Sequence, residues 1–327
     1  MKTATTSVGL LALASQACAF HIATPIPGLA KMRAGRHVGL AMSAIDDIAT
    51  AEGVSIDTSG PLKKITLSSG DAEADLYTLG ACVTSYKVGG HDNLFVRPDA
   101  KLDGSKPISG GLPFCFPQFG PGEIQQHGFA RNLEWDVVSV TGGATPAVTM
   151  SLVNNEETMA MWPHPFEMTY AVTLLNGKLS TDLTVKNTGD SPFNFQAALH
   201  SYFSCSDINK VTVKSPAFDG ASFLNKMLDP PAMTTQEGSE ITISQEMDSV
   251  YMGVSGEIAV DDAGNNRRLA VSNTEGWKDT VVWNPYGNAA MGADNFLCVE
   301  SAIVQGAPEL GPGDSWAGKM ELIPGSI

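Results

Sequence analysis

From Lys63 onward, apolar and polar positions alternate with a period of two, the signature of half-buried strands. Ile65 and Leu67 alternate ahead of Ser68-Ser69-Gly70-Asp71, and Ala72, Ala74 and Leu76 alternate after it, which predicts a hairpin. The strongest case is Phe166, Met168, Tyr170, Val172 and Leu174, then Asn176-Gly177, then Leu179, Leu183 and Val185. Asn-Gly between two such runs is a hairpin signal because both turn positions need positive φ. Further short strands are predicted around Val137 to Val140, Val148 to Leu152, Val211 to Val213, Ile258 to Val260, Leu269 to Val271, Thr280 to Trp283, Leu297 to Val299 and Met320 to Ile323. No long amphipathic helix is evident in this region. Short strands separated by Gly, Pro, Asn and Asp predict an all-β antiparallel sandwich or barrel. Neither a linker nor a repeat interrupts Asp46 to Ile327, which is read as one domain.

Composition agrees, with 33 Gly and 19 Pro in 327 residues, more turn former than a helix bundle uses. Charge adds a second division. The formal net charge is -15, yet residues 1–45 hold Lys2, Lys31, Arg33 and Arg36 and no acid, which leaves 16 Lys and Arg against 35 acids in the remainder. A body at -19 is a poor partner for a phosphate backbone, so nucleic-acid binding is not expected. The leader begins with Lys2 and a short apolar stretch, Val8 to Ala14, then Ala17-Cys18-Ala19, the small-residue pattern of a signal peptide ending near residue 19. That stretch is well short of the ~18 to 20 apolar residues that span a bilayer, so no membrane segment is expected in the mature form. Residues 20–45 are basic and proline-interrupted, as in a transit peptide. Ala17-Cys18-Ala19-Phe20 resembles the cleavage motif of bipartite presequences in algae with secondary plastids, which implies a plastid address; the alternative is plain secretion. Beyond the leader, Cys82, Cys115, Cys205 and Cys298 lie far apart with no Cys-x-x-Cys, so neither a disulfide framework nor a zinc site is expected.

Phosphate-binding loops, dinucleotide fingerprints, His-Glu-x-x-His and Gly-x-Ser-x-Gly are all missing from the sequence. What remains is polar residues set in aromatic and proline-rich loops. Gly110 to Gly120 reads GGLPFCFPQFG, and His127-Gly128-Phe129-Ala130-Arg131-Asn132 follows. Aromatic faces among His, Arg and Gln suit a sugar, whose C–H faces stack while its hydroxyls take directional hydrogen bonds. Phe114 and Phe116 are expected in the core, whereas a buried Arg131 would need an anionic partner. Trp162-Pro163-His164-Pro165 leads into the hairpin, and His164 there is as suited to bracing a loop as to meeting a ligand. Leu199-His200-Ser201-Tyr202-Phe203 puts a lone histidine at a strand end, more often structural than catalytic. Glu300 directly follows the apolar run Leu297 to Val299, where desolvation would raise its pKa toward use as a base, although an exposed strand-end carboxylate is the commoner case.

These blocks together resemble the glucose-6-phosphate 1-epimerase branch of the aldose 1-epimerase superfamily. The likeness also rests on Asp103-Gly104-Ser105-Lys106-Pro107, Met247-Asp248-Ser249-Val250-Tyr251, Val282-Trp283-Asn284-Pro285 and Cys298-Val299-Glu300. It implies a galactose-mutarotase-like antiparallel β-supersandwich and a cofactor-independent interconversion of the α and β anomers of hexose 6-phosphates. It also implies a small-molecule sugar or sugar phosphate as partner; a monomer is expected. By resemblance His200 is the general acid and Glu300 the general base, His127 and Arg131 meet the sugar or its phosphate, and Asp248 and Asp294 lie near the site. Gln118 is a candidate hydroxyl partner, and no metal is implied. Relatives usually read Arg-Gly-Gly-Ile-Pro where this chain has Ser109-Gly110-Gly111-Leu112-Pro113, so a phosphate-holding arginine is replaced. Arg97, Lys101 and Lys106 are the nearby cations that could stand in. An epimerase for unphosphorylated sugars and a non-catalytic carbohydrate-binding sandwich are the competing readings.

Overall fold

The computed structural model describes residues 51–327; the expected leader, residues 1–45, lies outside the described residues. The Asn-Gly turn forms as its φ preference dictates, with Asn176 at φ 51 and Gly177 at φ 74, and joins strands Phe166–Leu175 and Lys178–Asn187 in a ten-pair antiparallel register. Lys64–Ser69 and Ala72–Tyr77 form the other expected hairpin, with Gly70 at φ 62 in the turn. These hairpins seed two of the sheets. A five-stranded sheet runs from Val54–Asp57 to His91–Asp92, and a nine-stranded sheet has Lys178–Asn187 flanked by Phe166–Leu175 and Ser315–Gly325. An eight-stranded sheet includes Ser222–Asn225, Met247–Tyr251, Asp279–Asn284, Phe296–Ile303, Ala197–Leu199 and Phe114–Cys115 in that order, with Tyr202–Ser204 also on Phe296–Ile303. All these pairings are antiparallel. Among the described residues the longest helix is six residues, Glu156–Met161, started by a capping box between Asn155 and Thr158.

The alternation that builds the strands also sorts their side chains. Along Phe296–Ile303, Leu297, Val299 and Ile303 enter the main core, which they share with Leu183 and Val185 of the nine-stranded sheet. Phe296, Cys298, Glu300 and Ala302 point to the other face, as a period of two requires. Phe114 and Phe116 are fully buried, as expected from their setting. Phe116 packs against Phe129, Trp162, Phe166 and Phe195 at centroid distances of 5.4 to 6.0 Å. Truncating such a residue to alanine costs about 3–5 kcal/mol. The four cysteines beyond the leader are all free and buried.

Candidate active site

On the outer face of the eight-stranded sheet, polar side chains from successive strands stand side by side. Glu300 is opposite Val281 in the register, Asp248 lies on Met247–Tyr251, and Lys226 follows Ser222–Asn225 at the point where its backbone N–H donates to the Asp248 carbonyl at 2.9 Å. His200 joins Ala197–Leu199 to Tyr202–Ser204, and both of those strands pair with Phe296–Ile303, so the histidine sits beside Glu300. Together with Arg97, Ser109, Phe119, Gln126, His127, Arg131, Tyr202 and Trp283 they line a cavity of about 390 Å³. That volume lies within the range of small-ligand sites.

At its base, His200 Nδ1 is 3.4 Å from Glu300 Oε1. Glu300 is 1% exposed and sits inside its strand; the polar residues Glu300 and Ser301 do not end it. The backbone N–H of His200 donates to the Pro113 carbonyl at 2.9 Å. The imidazole stacks on Tyr202 at 4.9 Å and meets Trp283 edge to face at 5.5 Å. Nδ1 of His200 and Oε2 of Glu300 are buried without a hydrogen-bond partner. Burial drives the Glu300 carboxyl well above its ordinary range, reinforced by Asp248 and opposed by Lys226 and Arg131. Burial likewise holds His200 well below its ordinary value, helped by His127 and Arg131. Both groups are therefore held toward their neutral forms, a protonated carboxyl beside an uncharged imidazole.

His127 forms another wall. Its backbone N–H donates to the Gly120 carbonyl at 3.0 Å, and the Gly120 N–H donates to His127 Nδ1 at 3.2 Å. Cys115 Sγ is 3.1 Å from the same nitrogen. Burial, then Arg131 and Lys226, lower the His127 pKa to about 4. The cavity holds three permanent cations. Arg97 is committed to Asp99 by two bonds of 2.9 and 2.5 Å, and Lys226 to Asp248 at 2.9 and 3.1 Å. Arg131 donates from Nη2 to the Gln126 carbonyl at 3.0 Å while its Nε is buried and unpartnered.

Of the residues singled out from sequence, the cavity gathers His200, Glu300, His127, Arg131, Asp248 and Arg97. Gln118 lies outside it: its amide is spent on the carbonyls of Gly120 and Ile124 at 3.1 and 3.2 Å and on the Ile124 N–H at 3.3 Å, so it braces a loop. Asp294 is exposed in the turn Ala293–Asn295 and does not line the cavity. His164 packs against Trp162 with the rings tilted by 60° and 4.7 Å apart, beside a separate cleft. Lys101 and Lys106 are exposed and outside the cavity, whereas Arg97 lies on the strand segment beside the replaced arginine position, its backbone N–H donating to the Ser109 carbonyl at 3.0 Å. Lys226 was missed, because Leu224-Asn225-Lys226-Met227 carries no local signal and only strand pairing sets the lysine beside Asp248.

The sequence model of the aldose 1-epimerase family matches residues 63–322. A Cenchrus ciliaris protein named "putative glucose-6-phosphate 1-epimerase" is 34% identical over 287 residues, covering 82% of this chain and 86% of its own length. A protein of the same name from Escherichia coli K12 is 31% identical over 254 residues, covering 74% and 83%. The crystal structure of a mutarotase-type protein from Salmonella typhimurium superimposes with a TM-score of 0.74 at 24% identity, covering 88% of this chain and 99% of that one. Galactose 1-epimerase from Lactobacillus acidophilus shares the fold, with a TM-score of 0.63 at 13% identity over 81% of this chain and 95% of its own.

Proposed function

The chain belongs to the aldose 1-epimerase family, and on that premise we propose that it interconverts the α and β anomers of a hexose 6-phosphate, glucose 6-phosphate first among them. The observation that carries the chemistry is the buried His200–Glu300 pair, 3.4 Å apart in a sugar-sized cavity. Moving the carboxyl proton from Glu300 to His200 Nδ1 gives a carboxylate and an imidazolium. Glu300 then takes the proton from the anomeric hydroxyl as the C1=O1 bond forms and the bond from C1 to the ring oxygen breaks. His200 delivers its Nε2 proton to that oxygen. Rotation about C1–C2 and reversal of both transfers close the other anomer with the pair restored. Each positioned group contributes ~100 to 10,000-fold.

Support for a phosphorylated substrate comes from the two relatives of that name and from the cations of the cavity. Arg131, with unspent donors, is the phosphate's main contact in this reading, since Arg97 and Lys226 already hold carboxylates. Trp283 and Phe119 offer aromatic surface to the sugar's C–H groups.

Anomer exchange followed by NMR tests this. The wild type is expected to accelerate exchange of α-glucose 6-phosphate more than that of α-glucose, and Glu300→Gln to lose at least about 100-fold. Arg131→Met should raise KM for the phosphate ester about tenfold or more and that for glucose much less. Acceleration of neither sugar sinks the enzymatic reading; equal efficiency on both sinks phosphate selectivity.

A further inference from the structure

Resting on that reading, we propose that Gly120 and Cys115 lock His127 into one neutral tautomer, with its proton on Nε2, so that it meets the sugar only as a hydrogen-bond donor. Cys115 is then a positioning residue for the reaction.

A backbone N–H can only donate, so the Gly120 N–H at 3.2 Å fixes His127 Nδ1 as an acceptor. A neutral imidazole with an acceptor at Nδ1 carries its proton on Nε2. The Cys115 thiol, 3.1 Å from the same lone pair, is also cast as a donor. Its pKa is driven well above the ordinary value by burial and then by Glu300, so it keeps its proton. On the far side of the ring, the Gln126 amide nitrogen lies 3.4 Å from Nε2. With a proton on Nε2 two donors would face each other, so the proposed tautomer requires this amide to rotate its oxygen inward, a contact that a sugar oxygen then replaces.

The ring is also held in place. Gly120 accepts from the His127 backbone N–H at 3.0 Å, so the two residues clasp each other in both directions. The loop between them is stitched by the Gln118 amide, which gives that residue a purpose away from the sugar. His127 takes a left-handed backbone at φ 66, rare for a residue with a Cβ, and Gly128 follows at φ 71. An added Cβ at Gly128 would collide with the Phe116 carbonyl, so the backbone there has one way to run. The groups facing His127 are Arg131 and Lys226, the His200 ring at 5.4 Å, Cys115 and Gln126, and both cations oppose a second proton. A sugar hydroxyl can donate or accept, and a histidine free to switch tautomer would accept either role. A fixed Nε2–H admits only an oxygen placed as acceptor, and that selection is built before the substrate arrives.

Two-bond ¹H–¹⁵N spectra of the full chain read imidazole tautomers directly. His127, identified by its loss in His127→Gln, is expected to show a protonated Nε2 and a bare Nδ1, unchanged from pH 5.5 to 8.5. A protonated Nδ1, or a change of form within that range, overturns the proposal. Kinetics supply a second reading. Cys115→Ser keeps a donor and is expected to hold KM within about twofold, whereas Cys115→Val keeps bulk without a donor and should raise KM about tenfold with kcat little changed. A valine variant with unaltered KM overturns the thiol's part. Absence of anomer exchange in the wild type would instead defeat the functional reading, while the imidazole spectrum still decides the tautomer.

Discussion

Glu300 and His200 are each displaced toward their neutral forms by the same burial, in opposite directions on the pH scale. Activity needs the pair to hold one proton, and a second proton at low pH or none at high pH removes an acid–base partner. A bell-shaped profile of kcat/KM is therefore expected, with apparent values belonging to the pair. Stability carries the mirror image of this arrangement. Glu300 has its folded pKa above the unfolded value of 4.5, so its contribution is fully present below 4.5 and is lost as pH rises through the folded value. Glu300→Gln removes that penalty along with the activity, and should melt at least about 2 °C higher than the wild type at pH 8, with the gap closing toward pH 4. Scanning calorimetry at the two pH values checks this; a less stable variant at pH 8 contradicts it. His127 behaves oppositely: its contribution is present above the unfolded 6.5 and is lost as pH falls through about 4. At this scale the sequence was legible where a residue lay in a distinctive string, as His127, Arg131, His200 and Glu300 do. It was silent on Lys226 and misleading on Gln118, because one acts through a neighbouring strand and the other spends its amide on backbone.

Strands whose two faces differ could be read from alternation, whereas strands buried on both faces showed only as short apolar runs without their ends, as Thr280 to Trp283 and Leu297 to Val299 did. Phe166–Leu175 and Lys178–Asn187 alternate without a break and form as expected. Phe296–Ile303 is buried at all eight positions, so nothing in Glu300-Ser301 reveals that the strand continues through them. Cys82–Val88 escaped notice because its first three residues are all buried and break the alternation, and Ala232–Thr235, a sheet edge, because it has no buried residue. Tight backbone contacts between elements were equally hidden. Gly111, at φ 71, lies where an added Cβ would meet the Val83 carbonyl, and its own carbonyl accepts from Tyr202 N–H at 2.8 Å. Gly111→Ala combines backbone strain with a collision that no side chain can relieve. It is expected to destabilise by about 3 kcal/mol or more, read as a drop in the urea midpoint. A change below about 0.5 kcal/mol would show that the two segments can separate without loss.

Over the whole molecule, the net charge of -15 repels an anion that the cavity's cations attract at short range. Salt screens the first over a Debye length of about 10 Å at 0.1 M and reaches the half-buried cations less. Raising ionic strength from 10 to 150 mM should thus increase kcat/KM for glucose 6-phosphate, by about twofold, and leave glucose unchanged. A steep fall with salt would mean that exposed cations steer the substrate instead. The leader's plastid address is a proposal with its own test: residues 1–45 fused to a fluorescent protein should reach the plastid, and a fully secreted product overturns it.

The clasp between Gly120 and His127 has one further implication, for how this chain can vary. Residues 121–126 rise from two pinned feet and are exposed except for half-buried Ile124. Position in the cavity depends on the feet and on the Gln118 brace, against which Gly122 packs too closely to carry a side chain. Exposed Glu123 bears none of it, and it is there that a label can be attached with the histidine left aimed as before.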